Sequence, residues 1–176
     1  MQNINFLPWQ GKNFAQGYRG KKILVLGESH YTEDGKGWQS ITQDVMERYT
    51  NYITGKAPFE PWMNTFTKFA KAFQNGEMSN EEVAQFWQGV VFYNFVQFPT
   101  SGPRVAPTAQ QFADSEKAFR EVFAQYKPDI VIAWGGRLWE NISSELKAQF
   151  PMMFVMHPSA SGFHYATVYE QLKKIF

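Results

Sequence analysis

Not one of the 176 residues is a cysteine. Disulfides, thiolate metal sites, iron–sulfur clusters and cysteine nucleophiles are therefore excluded together. No run approaches the ~18 consecutive apolar residues that a membrane-spanning helix needs. The N-terminal MQNINFLPWQ does not have the layout of a secretory signal. The expectation is a cytoplasmic protein with no membrane partner. Charge of one sign is also missing, since 17 basic residues face 16 acidic ones and the net charge is +1. Tight, non-specific duplex binding is argued against, although a local basic groove fits inside a neutral total. Internal repeats, low-complexity tracts and long linkers are absent as well, so residues 1–176 read as one domain. A monomer without metal or cofactor is expected.

Apolar side chains are abundant. Hydrophobic residues make up 44% of the chain and charged residues 19%, the balance of a globular protein rather than a disordered one. Four short runs have the character of buried strands: KILVL (22–26), VVFYNF (90–95), DIVIAW (129–134) and MMFVM (152–156). Helix-like stretches separate them, at 40–53, 61–73, 79–90, 108–126, 136–150 and 165–176. Ser40 stands at an N-cap position, Pro61 suits a first helical turn, and Ser79 with Glu82 has capping-box spacing. Strands alternating with helices predict a three-layer α/β/α fold around a four-stranded parallel sheet.

The strand ends carry the chemistry. The first run stops at Gly27 and is followed by Glu28, Ser29, His30 and Tyr31, four side chains able to bond hydrogen or move protons. The second leads into NFVQFPTSGPR, the third into GGR and the fourth into HPSASG. If the strands are parallel, these segments converge on one rim, where open α/β sheets bind ligands.

In this order, the rim segments resemble the uracil-DNA glycosylase superfamily. Gly27-Glu28-Ser29-His30-Tyr31 stands where those enzymes carry Gly-Glu-Ala-Pro-Gly or Gly-Gln-Asp-Pro-Tyr. YNFVQFPTSGPRVAPT (93–108) is similar to the Asn-containing segment of the heat-stable branch, and KPDIVIAWGGRLWENI (127–142) to its strand, glycine and helix. His157-Pro158-Ser159 matches the His-Pro-Ser motif at the last strand end. Three departures accompany the match. The iron–sulfur ligands of the heat-stable branch are missing, His30 replaces a proline, and Ser29 stands where the best-known branch has Asp.

The resemblance implies a uracil-DNA glycosylase-like fold and a partner, DNA with a damaged base flipped from the stack. Excision breaks the bond between deoxyribose C1′ and N1, leaving an oxocarbenium-like sugar and a base anion. His157 inherits donation to uracil O2. Asn94 inherits base reading, its amide complementing O4 and N3–H while mismatching cytosine. Glu28 is the candidate for positioning water or stabilising the cationic sugar. Tyr31 is placed against C5 of the base, and Trp38 is a ring on which the base could stack. Ser159, Ser161 and Arg104 are candidates for backbone phosphates.

Other readings remain open on the residues alone. A serine hydrolase would pair Ser29 with His157, but Tyr31 stands where the nucleophile elbow needs its second glycine. His30, His157 and His164 are three metal-capable side chains with no ligand-type spacing. A non-catalytic glycosylase-fold protein that binds single-stranded nucleic acid or a nucleotide is the alternative outside enzymology.

Overall fold

A computed structural model describes residues 2–32, 34–102 and 105–176. It is an α/β protein with a five-stranded sheet: β1 (Trp9–Gln10), β2 (Ile23–Gly27), β3 (Val90–Asn94), β4 (Ile130–Trp134) and β5 (Met152–Val155), in the order β1-β3-β2-β4-β5. The four expected runs form β2 to β5 and pair in parallel, with Gly27 opposite Asn94 and Leu26 opposite both Tyr93 and Ala133. The expectation of a four-stranded, all-parallel sheet is corrected by β1. This two-residue edge strand runs antiparallel to β3, pairing Trp9 with Phe92.

Both faces of the sheet are covered, which is why β2 and β3 are buried at every position instead of alternating. On one face lie α1 (Ile41–Ile53), α2 (Met63–Lys71), α3 (Asn80–Gln88) and α7 (Tyr165–Leu172). They pack on Ile23, Val25, Val90, Phe92, Ile132, Trp134 and Val155. On the other face, α4 (Ala109–Tyr126), α5 (Gly136–Asn141) and α6 (Ser144–Gln149) cover Leu24, Leu26, Val91, Tyr93, Val131 and Ala133. Most of the aromatic surplus is core, because Phe66, Phe69, Trp87, Phe92 and Trp134 form one edge-to-face cluster under the first set of helices.

Local signals explain the helix boundaries. Ser79 and Glu82 form the expected capping box at α3, and Thr108 with Gln111 forms a second one at α4. Ser40 precedes α1, but its hydroxyl donates to Asp44 and leaves the backbone uncapped. The single helix expected over 136–150 is two helices. Ile142 is extended, and Ser143 caps α6 by accepting from the Leu146 N–H while its own N–H donates to Glu116. A serine with two such partners restarts a helix more readily than it continues one.

Among the described residues, no helix is long and apolar enough to cross a membrane.

Candidate functional site

The chain leaves β2 toward α1 on one face of the sheet and leaves β4 toward α5 on the other. Connections that part in this way open a crevice between adjacent strand ends. The segment after β2 is held against the segment after β3 by a continuing ladder, in which Phe95, Val96 and Thr100 N–H donate to the carbonyls of Gly27, Glu28 and His30. A parallel bridge between Tyr31 and Thr100 closes it. Extended backbone alternates its side chains, so His30 turns inward and is buried while Tyr31 is 53% exposed.

Alternation also fixes which rim residues share a face. Phe92 and Trp134 lie on the α1 face, and continuing the pattern puts Gly27, Asn94 and His157 there with them. Gly27 has no side chain because Asn94 needs its space: a Cβ there would lie 2.1 Å from Asn94 Oδ1. Gly27→Ala is accordingly expected to push the Asn94 amide off its buried partner and destabilise the protein by about 1–3 kcal/mol. A denaturant midpoint unchanged from wild type would contradict that packing. Asn94 itself is nearly buried, with Nδ2 3.1 Å from His30 Nε2 and its carbonyl accepting from Gln97.

His157 follows β5 and rests edge-on against Trp134, ring centroids 5.9 Å apart. Its Nδ1 meets the Ser159 N–H at 3.2 Å and the Ser159 hydroxyl at 2.8 Å. A backbone N–H can only donate, so Nδ1 is the acceptor and neutral His157 carries its proton on Nε2. Burial pushes its pKa down, the Glu28 carboxylate pulls it back up, and the Arg137 guanidinium lowers it again. The net shift is downward, which favours the neutral ring. Gly135, at φ +91°, lets β4 turn beneath it, its Cβ position lying 3.2 Å from the His157 Cβ.

Glu28, one residue beyond Gly27, alternates to the α5 side of the rim, and its surroundings were not legible in the sequence. Arg137, from the GGR segment, grips it through two hydrogen bonds, Nε to Oε2 at 2.7 Å and a second from the guanidinium to Oε1. Hydrogen bonding to Glu28 raises the pKa of Arg137 further and keeps it cationic. Only 14% of the Glu28 side chain is exposed, against 52% for Arg137. A carboxylate held by a guanidinium fork is fixed in orientation, with both oxygens engaged. The signal that could have revealed Arg137 was its place immediately beyond a strand end.

The remaining candidates scatter. Trp38 is half-exposed, donates from Nε1 to Asp44, and borders an open cavity of about 420 Å³ with Phe6, Gln97 and Phe98. The larger concavity, about 560 Å³, lies near Tyr52, Thr54 and Glu81 and contains none of the expected residues. Ser159 and Ser161 are exposed beyond β5, and the Ser159 hydroxyl is engaged by His157. Arg104 falls outside the described residues. His157 takes its hydroxyl partner from Ser159, and no Ser29–His157 hydrogen bond occurs among the described residues. No cluster of three or more His, Cys, Asp or Glu residues suited to a metal occurs among them either. Two residues that sequence reasoning passed over complete the inner wall. Thr42 of α1 bonds His30, and Gln97 ties the N-terminal segment down by accepting from Asn5 and Phe6 N–H.

No protein-family model matches the chain, and no curated protein matches it.

Proposed function

We propose that this protein is a base-excision DNA glycosylase of uracil-DNA glycosylase-like fold, acting on uracil or another deaminated base. One observation carries the reading. Asn94 and His157 sit at the same end and on the same face of the sheet, with side-chain-free Gly27 on β2 and the Trp134 ring at the end of β4 between them. Strands β3 and β5 are three positions apart, about 14 Å at ordinary strand spacing. Two inward side chains, two sets of hydrogen bonds and a six-membered ring fill such a span.

In that pose the Asn94 amide pairs with N3–H and O4, and His157 Nε2–H donates to O2. As C1′–N1 breaks, its electron pair leaves with the base, and charge grows on O2 where the imidazole N–H already points. A preorganised donor of this kind gains strength as the charge develops. Water adds to C1′ and loses its proton to solvent. Glu28, locked by Arg137, supplies fixed negative charge to the cationic sugar instead of taking that proton.

The test is excision. Oligonucleotides containing uracil, hypoxanthine or xanthine, single-stranded or paired, are incubated with the protein and cleaved at abasic sites. Accumulation of abasic product from at least one of them is the expected result, and none from any would refute the proposal.

A second reading is favoured by the Glu28–Arg137 pair, because a carboxylate with both oxygens held leaves the site without a free general base. On that reading the protein binds single-stranded nucleic acid or a nucleotide without cleaving it. Tight binding of uracil-containing single strands with no abasic product would select it.

A further inference from the structure

His30 Nε2 meets two polar groups from other elements, Asn94 Nδ2 at 3.1 Å and Thr42 Oγ1 at 2.8 Å. An amide NH₂ can only donate. With Nδ2 facing it, Nε2 must be an acceptor, so neutral His30 carries its proton on Nδ1. The Thr42 hydroxyl then donates to the same lone pair. His30 and His157 are thus held in opposite tautomers, His157 by a backbone N–H and His30 by the amide nitrogen that faces it.

The consequence falls on Asn94. Half a turn about its Cβ–Cγ bond exchanges Oδ1 and Nδ2, and the bond itself has little preference between the two. The choice belongs to the neighbours. A lone pair at Nε2 draws Nδ2 and leaves Oδ1 on the Gly27 side, close to where a Cβ would stand.

We propose that His30 is a positioning residue that fixes the orientation of the Asn94 amide and so selects ligands presenting an imide edge, a ring N–H beside a carbonyl oxygen. The inference rests on the base-reading role proposed for Asn94. One hydrogen of an amide NH₂ lies alongside the carbonyl oxygen and the other points away from it. In the proposed arrangement His30 takes the second, leaving Oδ1 and the first hydrogen as an acceptor–donor pair for N3–H and O4. An aminopyrimidine such as cytosine presents the reverse order. Accepting it would require Oδ1 to face the Nε2 lone pair, two acceptors with no hydrogen between them.

The surroundings keep His30 in its acceptor state. Phe6 packs edge-on against its ring at 5.4 Å, and burial alone lowers its pKa to about 4, with no charged group contributing. Of the acids on the segments packed against it, Asp44 of α1 is engaged by Trp38 and Ser40, and Glu28 by Arg137.

Two measurements test this. In protein labelled with ¹⁵N-histidine, long-range ¹H–¹⁵N correlation spectra of the wild type at neutral pH should show His30 unprotonated at Nε2 and protonated at Nδ1. The reverse tautomer overturns the proposal, whether or not the protein has any activity. The second measurement is single-turnover excision from uracil and cytosine oligonucleotides by His30→Phe and His30→Gln. His30→Phe fills the space without an acceptor. It should lower kcat on uracil about tenfold, leave KM within about twofold, and shift the uracil-to-cytosine ratio toward cytosine. His30→Gln, whose side-chain carbonyl can accept from Nδ2, should recover most of that loss. A folded His30→Phe protein with unchanged kcat and ratio overturns the proposal. If the wild type excises no base, the glycosylase reading falls, and the tautomer alone decides whether His30 orients the amide.

Discussion

His157→Ala is expected to lower uracil excision by about 10²–10³-fold, the effect of removing a preorganised donor aimed at developing charge. The size follows from the tautomer. The Ser159 N–H holds Nδ1 as an acceptor, so Nε2–H is available before the base arrives and no proton has to move within the ring. Burial lowers the His157 pKa, so the neutral donor persists at ordinary pH. A cationic ring would lose the bond from the Ser159 N–H, which can only donate, while the hydroxyl would have to turn and accept from Nδ1–H. Ser159→Ala should therefore be milder, about tenfold or less, since the backbone N–H still fixes the tautomer when the hydroxyl is gone. Single-turnover rates on a uracil oligonucleotide check both. A folded His157→Ala protein excising at the wild-type rate would remove His157 from the mechanism, and a Ser159→Ala protein as slow as His157→Ala would show that the hydroxyl has a role of its own.

The parallel sheet was legible because strands buried on both faces become unbroken apolar runs, as ILVL (23–26) and VVFY (90–93) are. Strand β1 was not, since Trp9 and Gln10 are too few to show any period, and only the free edge of β3 makes them a strand. The division of 136–150 into two helices turned on Ser143 finding Glu116, a partner 27 residues away. The same contrast holds at the site. His157 and Ser159 are two residues apart, so their bond was within reach of the motif itself. Glu28 and Arg137 are 109 residues apart and meet only because β2 and β4 are neighbours. His30 was the least legible. In sequence it is one of four polar residues in a loop, and it becomes a buried acceptor only through the ladder along residues 95–100 and the cover of Phe6 and Thr42.

That burial makes stability depend on pH in a way that can be traced to one ring. The folded pKa of His30 is lowered to about 4 from an ordinary 6.5 by desolvation. Between those values the unfolded chain binds a proton that the folded protein refuses, so stability rises with pH there. The contribution is fully present above about pH 6.5, declines as pH falls through the window, and levels off below about pH 4. A shift of that size corresponds to about 3 kcal/mol at roughly 1.4 kcal/mol per pKa unit. The downward shift of His157 has the same sign and adds to the trend. Carboxylates also titrate toward the acid end, so the slope of the wild type alone does not isolate His30. The comparison with His30→Gln does, because a glutamine leaves every other group in place and does not titrate. Urea unfolding at a series of pH values from 7 to 4 should show the wild type losing about 3 kcal/mol more than the variant over that range, whatever their difference at pH 7. Parallel curves for the two proteins would mean that His30 takes up its proton without leaving its buried site.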